Sequence, residues 1–283
     1  MTPLEEQTVL VTGATDGLGR ALARELAALG ASVLLHGRSD ARLDETCREI
    51  ARVAGGRRPD VYRADLASLD EVRRLAEDVE RDHERLDLLV NNAGIGGGTN
   101  RALRGESADG YELRFAVNYL AAFLLTNALL PLLRNSAPAR IVNVASVGQA
   151  PIDFEDVMLE HGYDGMRAYS QSKMALILFT FELADRLRAE GSDVTVNALH
   201  PASLMNTKMV YESFGYTMST IEDGVEATLR LAVAPELDGV SGRYFDRLDE
   251  RRAHPQAYDA EARRRLWRLS EGLVNLPALE RAR

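Results

Sequence analysis

The sequence predicts an α/β protein built on a doubly wound, mostly parallel sheet of about seven strands, with helices on both faces. Short runs of β-branched residues and leucine alternate along the chain with longer segments of helical periodicity. The predicted strands are continuously apolar instead of alternating, which is typical of a parallel sheet covered on both sides. A glycine-rich turn directly follows the first predicted strand, as it often does in this fold class.

The first half of the chain supplies four strands and three helices of this alternation. We predict strands at Thr8–Thr12, at Ser32–Leu35, around Val61 and at Leu86–Val90. Helices are predicted at Gly17–Leu29, Asp40–Val53 and Leu69–His83. Each of the first three strands is therefore followed by a helix that can cross back over the sheet to a parallel neighbour.

The second half continues the alternation with longer helices. Further strands are predicted at Arg140–Val144, Asp193–Leu199 and Arg243–Asp246. Helices are predicted at about Gly110–Leu133, Arg167–Ala189 and Asp259–Leu273. The last of these carries its large apolar residues on one side and is expected to dock on the protein: Leu266, Trp267, Leu269 and Leu273.

The whole chain, 1–283, is predicted to form a single domain. It contains no internal repeat, low-complexity tract or Pro/Gly/Ser-rich linker that would separate two cores. Gly96, Gly97 and Gly98 directly follow the fourth strand, so we interpret them as a loop at the edge of the sheet. Residues 247–283 are expected to form a C-terminal helical extension of the domain.

Charge and cysteine content exclude several classes of protein and site. The formal net charge of −9 argues against a nucleic-acid-binding protein, which normally shows a basic stripe. Cys47 is the single cysteine, so an intrachain disulfide and a cysteine-built metal site are both excluded, and a buried, unreactive thiol is expected. His161 and His200 have no neighbours at metal-ligand spacing, and we predict no metal.

The chain is expected to be cytoplasmic. Its first residues lack the basic start and apolar run of a secretory signal. The longest apolar stretch, Leu120–Leu133, is interrupted by Thr126, Asn127 and Pro131. At that length we interpret it as a buried helix and predict no membrane span.

The glycine-rich turn reads Thr12-Gly13-Ala14-Thr15-Asp16-Gly17-Leu18-Gly19. Glycines at such a turn allow a pyrophosphate to approach the backbone N–H groups at the positive end of the next helix. The spacing Gly-x-x-x-Gly-x-Gly differs from the commoner Gly-x-Gly-x-x-Gly dinucleotide motif. Taken alone, the turn also fits a purely structural role.

Further motifs follow in chain order. They are Asp65-Leu66 after strand three, Asn91-Asn92-Ala93-Gly94 after strand four, Asn118 in a helix, Ser146 after strand five, Tyr169 and Lys173 in a Tyr-x-x-x-Lys pair, and His200-Pro201 after strand six. In this order and spacing the chain resembles the short-chain dehydrogenase/reductase family from about Thr8 to about Phe245. The long segment between Ser146 and Tyr169 and the helical tail are similar to its retinol-dehydrogenase-like branch. The resemblance implies a Rossmann-like fold and a nicotinamide-dependent oxidoreductase.

The Tyr-x-x-x-Lys pair and the serine also fit acid–base chemistry on physical grounds. Tyr169 and Lys173 are four residues apart on a predicted helix and therefore share one face. A free tyrosine, with a pKa of about 10, is a poor base at neutral pH, and a nearby ammonium favours its phenolate. Tyr169 would then donate a proton to a carbonyl oxygen or accept one from an alcohol. Ser146 lies at the carboxyl end of a strand, where its hydroxyl can hold the substrate oxygen.

The resemblance adds two roles that the residues alone do not specify. Lys173 would also bind the nicotinamide ribose, and Asn118 would position a water molecule linked to the lysine. Taken singly, each of these side chains could instead be a surface neighbour or a helix or turn cap.

The resemblance also assigns the cofactor contacts. They fall on Gly13, Thr15, Asp16, Gly17, Leu18, Gly19, Arg38, Asp65, Leu66, Asn92, Ala93, Gly94, Tyr169, Lys173, Pro201, Ser203 and Thr207. The chain departs from the family at strand six, where Pro201-Ala202 replaces the usual Pro-Gly and reduces backbone freedom. The hydroxyl expected a few residues later is displaced, so Ser203, Asn206 and Thr207 all stay candidates for the cofactor contact.

The end of strand two favours NADP(H) over NAD(H). Proteins that use NAD place an acidic residue there to bind the ribose 2′-hydroxyl. Here the strand ends at His36-Gly37-Arg38, and no acid occurs before Asp40. The guanidinium of Arg38 suits a 2′-phosphate, although it could also stack on the adenine and accept both cofactors.

The favoured function is a carbonyl reductase or alcohol dehydrogenase acting on a lipophilic small molecule. Residues 147–168 and 203–220 flank the nicotinamide end of the sheet and are expected to wall the substrate pocket. An epimerase or dehydratase and an NADP-binding regulator are the alternatives, and the second of these would be expected to lose Ser146 or Tyr169. The apolar helices at Leu120–Leu133 and Met174–Leu187 could pair in a homodimer.

Overall fold

The protein forms an eight-stranded sheet with strand order β3-β2-β1-β4-β5-β6-β7-β8. The coordinates are a computed structural model, which describes residues 2–276. Met1 and residues 277–283, the end of the predicted C-terminal extension, lie outside the described residues. The first seven strands are parallel and β8 runs antiparallel to β7, so the doubly wound fold class is confirmed.

The bounds of the regular elements follow the predicted alternation closely. The strands are β1 (Thr8–Val11), β2 (Ser32–Gly37), β3 (Asp60–Arg63), β4 (Leu88–Asn91), β5 (Ala139–Val144), β6 (Val194–His200), β7 (Tyr244–Asp246) and β8 (Asp249–Glu250). The helices are α1 (Gly17–Ala28), α2 (Asp40–Val53), α3 (Leu69–Asp82), α4 (Leu113–Phe115), α5 (Ala121–Asn135), α6 (Gly165–Ala189), α7 (Lys208–Phe214), α8 (Ile221–Val233) and α9 (Ala260–Leu273). Short 3₁₀ turns occupy Leu4–Glu6, Pro235–Leu237 and Pro255–Tyr258.

The sheet separates two apolar layers because successive strand residues point to opposite faces. In β1, Leu10 packs into the layer formed with α3, α5, α6 and α9, whereas Val9 and Val11 pack into the layer formed with α1, α2 and α8. All three side chains are fully buried. Burial on both faces explains why the central strands read as unbroken apolar runs.

Three elements differ from the sequence-based expectation. The sheet has eight strands instead of about seven, because the exposed pair Asp249–Glu250 turns back against β7 as β8. Helix α7 was not predicted. None of its residues is buried, so no face of it had to be apolar and the sequence carries no helical pattern there. Helix α8 was also missed, although Thr220 and Asp223 form a capping box at its start.

The helix predicted at Gly110–Leu133 begins later and is not uniform. It consists of α4, a π-helical turn over Ala116–Leu120, and α5. Among the described residues, the segment Leu113–Asn135 is the one helix long and apolar enough to cross a membrane, and 78% of its most apolar stretch is buried inside the protein. Many of its side chains belong to the apolar layer that also contains α3, α6 and α9.

The C-terminal helix α9 docks on the protein, as predicted. It packs against α5 and α6, the two long apolar helices. Trp267 is 3% exposed, and its ring centroid lies 5.1 Å from that of Phe123 in α5 and 5.8 Å from that of Phe179 in α6. The guanidinium of Arg186 stacks 3.9 Å from the indole centroid. Helix α9 thus covers Phe123 and Phe179 of the two helices that were expected to pair in a homodimer, and that pairing stays a prediction.

Replacing Trp267 should destabilise the whole domain. Trp267→Ala removes the aromatic side chain that joins α9 to both long helices, and truncations of this kind cost about 3–5 kcal/mol. Urea unfolding followed by circular dichroism would measure the change. Tyr216→Ala is the matched control, because Tyr216 is 57% exposed and its loss should cost about 0.5 kcal/mol or less. Similar midpoints for Trp267→Ala and wild type would contradict this account of α9.

Candidate active site

The predicted catalytic side chains meet at the carboxyl ends of β4 and β5. Helix α6 reaches this edge because Asp164 caps its first turn, accepting from the backbone N–H groups of Met166 at 2.9 Å and Arg167 at 2.8 Å. Gly165 allows the close approach, since a Cβ there would lie 2.2 Å from the carbonyl oxygen of Gly97. The first turns of α6 therefore lie directly beside the loop that follows β4.

Tyr169 and Ser146 are brought together as predicted. Ser146 follows β5, and a Cβ on Gly148 would lie 3.4 Å from its hydroxyl oxygen and 3.7 Å from Cε1 of the Tyr169 ring. The surrounding protein atoms raise the pKa of Tyr169, and the neighbouring Ser146 hydroxyl lowers it by a smaller amount. In the free protein Tyr169 is therefore a protonated phenol at neutral pH, and the stabilisation of its phenolate by Lys173 stays a prediction.

Lys173 lies one turn further along α6 and is 5% exposed. Its ammonium donates to the carbonyl oxygen of Val144 at 2.8 Å and lies 5.9 Å from the ring centroid of Tyr169. Burial lowers the pKa of Lys173 from 10.5 to about 8. The residue therefore carries its charge at neutral pH but loses it within the weakly alkaline range.

Asn118 lies in the π-helical turn, a kind of irregularity that is frequent at functional sites. Its side-chain oxygen accepts from Ile95 N–H at 2.7 Å, and its amide donates to the Ile95 carbonyl at 3.0 Å and to the Ser172 hydroxyl at 2.9 Å. Gly94 lies between Asn118 and Lys173, since a Cβ there would be 3.1 Å from Asn118 Oδ1 and 3.3 Å from Lys173 Nζ. The Asn118 side chain thus fixes the backbone beside the lysine.

A buried charge cluster that the sequence reading missed holds the rest of this loop. Arg114, 7% exposed, donates to the carbonyl oxygens of Gly96 and Gly97, each at 2.8 Å. Glu112 accepts from the hydroxyl of Tyr163 at 2.8 Å and forms an ion pair with Arg114. The predicted loop at the edge of the sheet is confirmed, and these side chains give it one fixed shape.

The glycine turn after β1 has the shape that a pyrophosphate requires. Gly13 and Gly17 have φ of 65° and 48°, which favours glycine, and a Cβ on Gly19 would lie 2.3 Å from the carbonyl oxygen of Gly13. Among the described residues no protein acceptor faces the backbone N–H groups of Thr15, Asp16, Leu18 and Gly19. Free donors at the positive end of α1 fit a phosphate group.

Two side chains behind the turn hold it in place. Asn92 donates to the Thr12 carbonyl at 2.8 Å, and a Cβ on Gly13 would lie 2.9 Å from the Cα of Ala93. His36, which the sequence reading passed over, accepts from Gly13 N–H at 3.1 Å through Nδ1, and its Nε2 lies 3.1 Å from the Ala64 carbonyl. Burial lowers the pKa of His36 to about 4, so the ring is neutral and can serve as that acceptor.

The predicted adenine side of the site is more open. Asp65 accepts from Ala67 N–H at 3.0 Å, and Leu66 is buried beside it. Arg38 follows β2 directly and is exposed. Within residues 2–276 it has no ion-pair partner. Its guanidinium is therefore available to an anion.

The residues after β6 divide between two roles. The hydroxyl of Ser203 lies 3.1 Å from Nε2 of His200, whose pKa burial lowers to about 4. Thr207 caps α7 and touches the glycine turn, since a Cβ on Gly17 would lie 3.2 Å from its methyl group. Pro201 is buried at the end of the strand. Of the two candidate residues with a hydroxyl, Ser203 and Thr207, it is Thr207 that contacts the glycine turn after β1.

Comparisons with known proteins agree with this arrangement. A family model described as short chain dehydrogenase matches residues 7–215. Retinol dehydrogenase 14 of Mus musculus is 40% identical, over 95% of this chain and 86% of its own length. Polyprenol dehydrogenase of the same organism is 39% identical, over 96% of this chain and 84% of its own length.

A solved structure extends the agreement to three dimensions. The crystal structure of a short chain dehydrogenase from Escherichia coli CFT073, complexed with NADPH, has a TM-score of 0.71 and 28% identity, covering 86% of this chain and 97% of that one. With a family match over most of the sequence and relatives this similar over nearly its full length, the chain belongs to the short-chain dehydrogenase family, in its retinol-dehydrogenase-like branch.

Proposed function

We propose that the chain transfers a hydride between NADP(H) and the carbonyl or alcohol group of a lipophilic small molecule, with Tyr169 as the acid–base residue. The position of Ser146 and Tyr169 side by side near the ammonium of Lys173 is the observation that carries the proposal, since a Cβ on Gly148 would lie 3.4 Å from Oγ of Ser146 and 3.7 Å from Cε1 of Tyr169. When bound, the nicotinamide cofactor would supply or accept the hydride. Gly13, Gly17 and the free N–H groups of the first turn of α1 would hold its pyrophosphate.

In the reducing direction, Tyr169 would donate its proton to the carbonyl oxygen. The raised pKa of Tyr169 keeps the phenol protonated at neutral pH, which is the form that this step requires. Ser146 would hold the same oxygen through its hydroxyl, which lies near the Tyr169 ring. In the oxidising direction, Tyr169 must first lose its proton, and the ammonium of Lys173 would stabilise the resulting phenolate.

Two observations support NADP(H) over NAD(H). The exposed guanidinium of Arg38 follows β2 directly, at the place where an acidic residue would bind a 2′-hydroxyl. The related structure from Escherichia coli contains NADPH.

The lipophilic substrate is inferred from the relatives' names and from the apolar surface of one segment. Those relatives are named for retinol and polyprenol, which are both alcohols on long apolar chains. Within 203–220, Tyr211, Phe214, Tyr216 and Met218 are all exposed. The same segment reaches the site, because a Cβ on Gly96 would lie 2.9 Å from Met209. We propose that 203–220 and 147–168 wall the substrate pocket.

The cytoplasmic location and the absence of a membrane span remain part of this proposal. The apolar helix Leu113–Asn135 lies mostly within the core, where its side chains contact Phe179 and Trp267. The apolar side chains of this helix thus form part of the protein core. We therefore expect the expressed protein to be extracted into buffer without detergent.

Tyr169→Phe should abolish most of the turnover while leaving the fold intact. The substitution removes one hydroxyl and keeps the ring, and general acid–base catalysis contributes about 10²–10⁴-fold in rate. NADPH oxidation with a panel of retinoid and polyprenoid aldehydes and simple ketones would measure kcat. Tyr62→Phe is the matched control, because its hydroxyl bonds to His83 at the end of α3, outside the proposed site. A folded Tyr169→Phe protein with wild-type kcat would refute the assigned role.

The reduction rate should fall as the pH rises through about 8. Lys173, with its pKa lowered to about 8, is charged below that pH and neutral above it, so its support of the cofactor ribose and of Tyr169 is lost on the alkaline side. The measurement is kcat/KM against pH, which reports groups of the free enzyme. In Lys173→Met the residual rate should show no such fall. A wild-type profile that stays flat to pH 10 would contradict the assignment.

Arg38→Asp should weaken NADPH binding and leave NADH binding unchanged or improved. Loss of a charge-assisted contact to the 2′-phosphate costs about 1.5–3 kcal/mol, or about 10–100-fold in Kd. Fluorescence titration with each cofactor measures the two constants. Arg268→Asp, on the outer surface of α9, is the control of equal charge change. Equal affinity of the wild type for both cofactors would exclude a preference based on Arg38.

A further inference from the structure

The loop that carries Ser146 is held by hydrogen bonds from residues outside the predicted catalytic set. The carbonyl oxygen of Ser146 accepts from the hydroxyl of Tyr244 at 3.0 Å and from the side-chain amide of Gln149 at 3.0 Å. The Ser146 hydroxyl accepts from the backbone N–H of Gly148 at 3.0 Å. Both the main chain and the side chain of the serine therefore have fixed orientations before a substrate binds.

Gln149 connects this serine to the C-terminal part of the chain. Its amide nitrogen donates to Ser146, and its amide oxygen accepts from the backbone N–H of His254 at 2.7 Å. The nitrogen and the oxygen of this amide are thus both hydrogen-bonded, the first to Ser146 and the second to a residue 105 positions further along the chain.

Gln256 makes a second link two residues further on. Its amide oxygen accepts from the backbone N–H of Ile152 at 2.7 Å, and its amide nitrogen donates to the carbonyl of the same residue at 3.2 Å. His254 supports the turn by accepting from Gln256 N–H at 3.3 Å through Nδ1. The turn is anchored in the core by Ala257, which is fully buried against the layer that contains α9.

A third glutamine holds the loop from the side of α6. Gln171 lies between the two motif residues of that helix and is 2% exposed. It accepts from the backbone N–H of Asp153 at 3.1 Å and donates to the Val157 carbonyl at 2.9 Å. The loop after Ser146 is therefore clamped between the helix that carries Tyr169 and the C-terminal turn.

We propose that Gln149 and Gln256 are positioning residues for Ser146, through which the C-terminal segment fixes the substrate-binding hydroxyl. The inference rests on the proposed function in taking Ser146 to bind the substrate oxygen. That hydroxyl must meet both the substrate and Tyr169, and a displacement of about 1 Å at such a site can cost about 10²-fold in rate. Neither glutamine touches the reacting atoms, so both act through the serine.

The hold of Gln149 and Gln256 on the loop after Ser146, called the clamp below, can be tested without any substrate. Hydrogen exchange of residues 146–153, followed by mass spectrometry, should become about tenfold faster or more in Gln149→Ala and in Gln256→Ala, because each loses the bonds that hold this loop. Gln7→Ala is the matched control: Gln7 is also 2% exposed, and its amide bonds to Thr2, near the start of the chain. Unchanged exchange in both clamp variants, or an equal rise in the control, would overturn the proposal.

The action through Ser146 is tested by a double-mutant cycle on kcat. Gln149→Ala should lower kcat about tenfold in the wild type, with the KM for NADPH unchanged, and less than twofold in a Ser146→Ala background, because coupled residues are not additive. Gln256→Ala should behave in the same way, and Gln7→Ala should change kcat in neither background. Equal losses in both backgrounds, or faster exchange with no loss of kcat, would show that the glutamines do not position the serine.

The two experiments separate this inference from the proposed function. A wild-type protein that binds NADPH but reduces none of the panel would contradict the function, and in that case the inference would fail with it even if the exchange results showed a clamp. A wild-type protein that turns over normally, with clamp variants that exchange and react like wild type, would refute the inference and leave the function standing.

Discussion

The geometry of this site depends on one buried ammonium. Lys173 is 5% exposed, and its hydrogen bond to the Val144 carbonyl ties α6 to the last residue of β5. A buried charge is costly unless it is hydrogen-bonded, and the fall of its pKa to about 8 expresses that cost. Gly94 lies on the other side of the ammonium, where a Cβ would be 3.3 Å from Nζ. The lysine side chain thus connects the face of α6 to the ends of β4 and β5.

Beneath this ammonium, a buried row of amides and hydroxyls sets the register of the helices against the sheet. Asn91 donates to Thr126 at 2.9 Å and to Asn143 at 2.8 Å, and Asn143 donates to Thr180 at 2.8 Å. The row runs from α5 through β4 and β5 to α6, and each of its members is at most 4% exposed. Polar groups in an apolar layer are costly when unpaired, so rotating α6 would break these bonds as well as the one made by the lysine.

The parts of the molecule that the sequence predicted are those with a strong local pattern. The central strands and long helices follow from buried runs and helical periodicity, and the catalytic residues follow from motif spacing. Arg114 and His36 were missed because their roles depend on which backbone groups lie opposite them in the fold. Helix α8 could have been found from the capping box at Thr220. The raised pKa of Tyr169 could not be predicted, because the desolvation that raises it depends on packing and not on spacing.

The two segments proposed to wall the substrate pocket differ in how the protein holds them. The first is bound along its length by glutamine amides and by Ile152 and Leu159, which are 4% and 1% exposed. Within the second segment, Asn206 N–H donates to Ser219 at 3.1 Å and Met218 N–H donates to Leu204 at 2.9 Å, so these bonds bring the two ends of the segment together. Between these bonds, α7 has no buried residue.

Helix α7 buries none of its side chains, whereas the loop that carries Ser146 is held by the buried amide of Gln171, so we expect 204–219 to be the more mobile of the two segments. The same segment places Thr207 against Gly17 at the glycine turn and Met209 against the loop after β4. In the proposed function, a cofactor in the turn and a substrate beside Tyr169 would both meet this one segment. Rigidity is required where the substrate oxygen is aligned, because small errors there cost rate. Mobility is required where an apolar substrate must pass, and the weakly held segment carries the apolar side chains that such a molecule would contact.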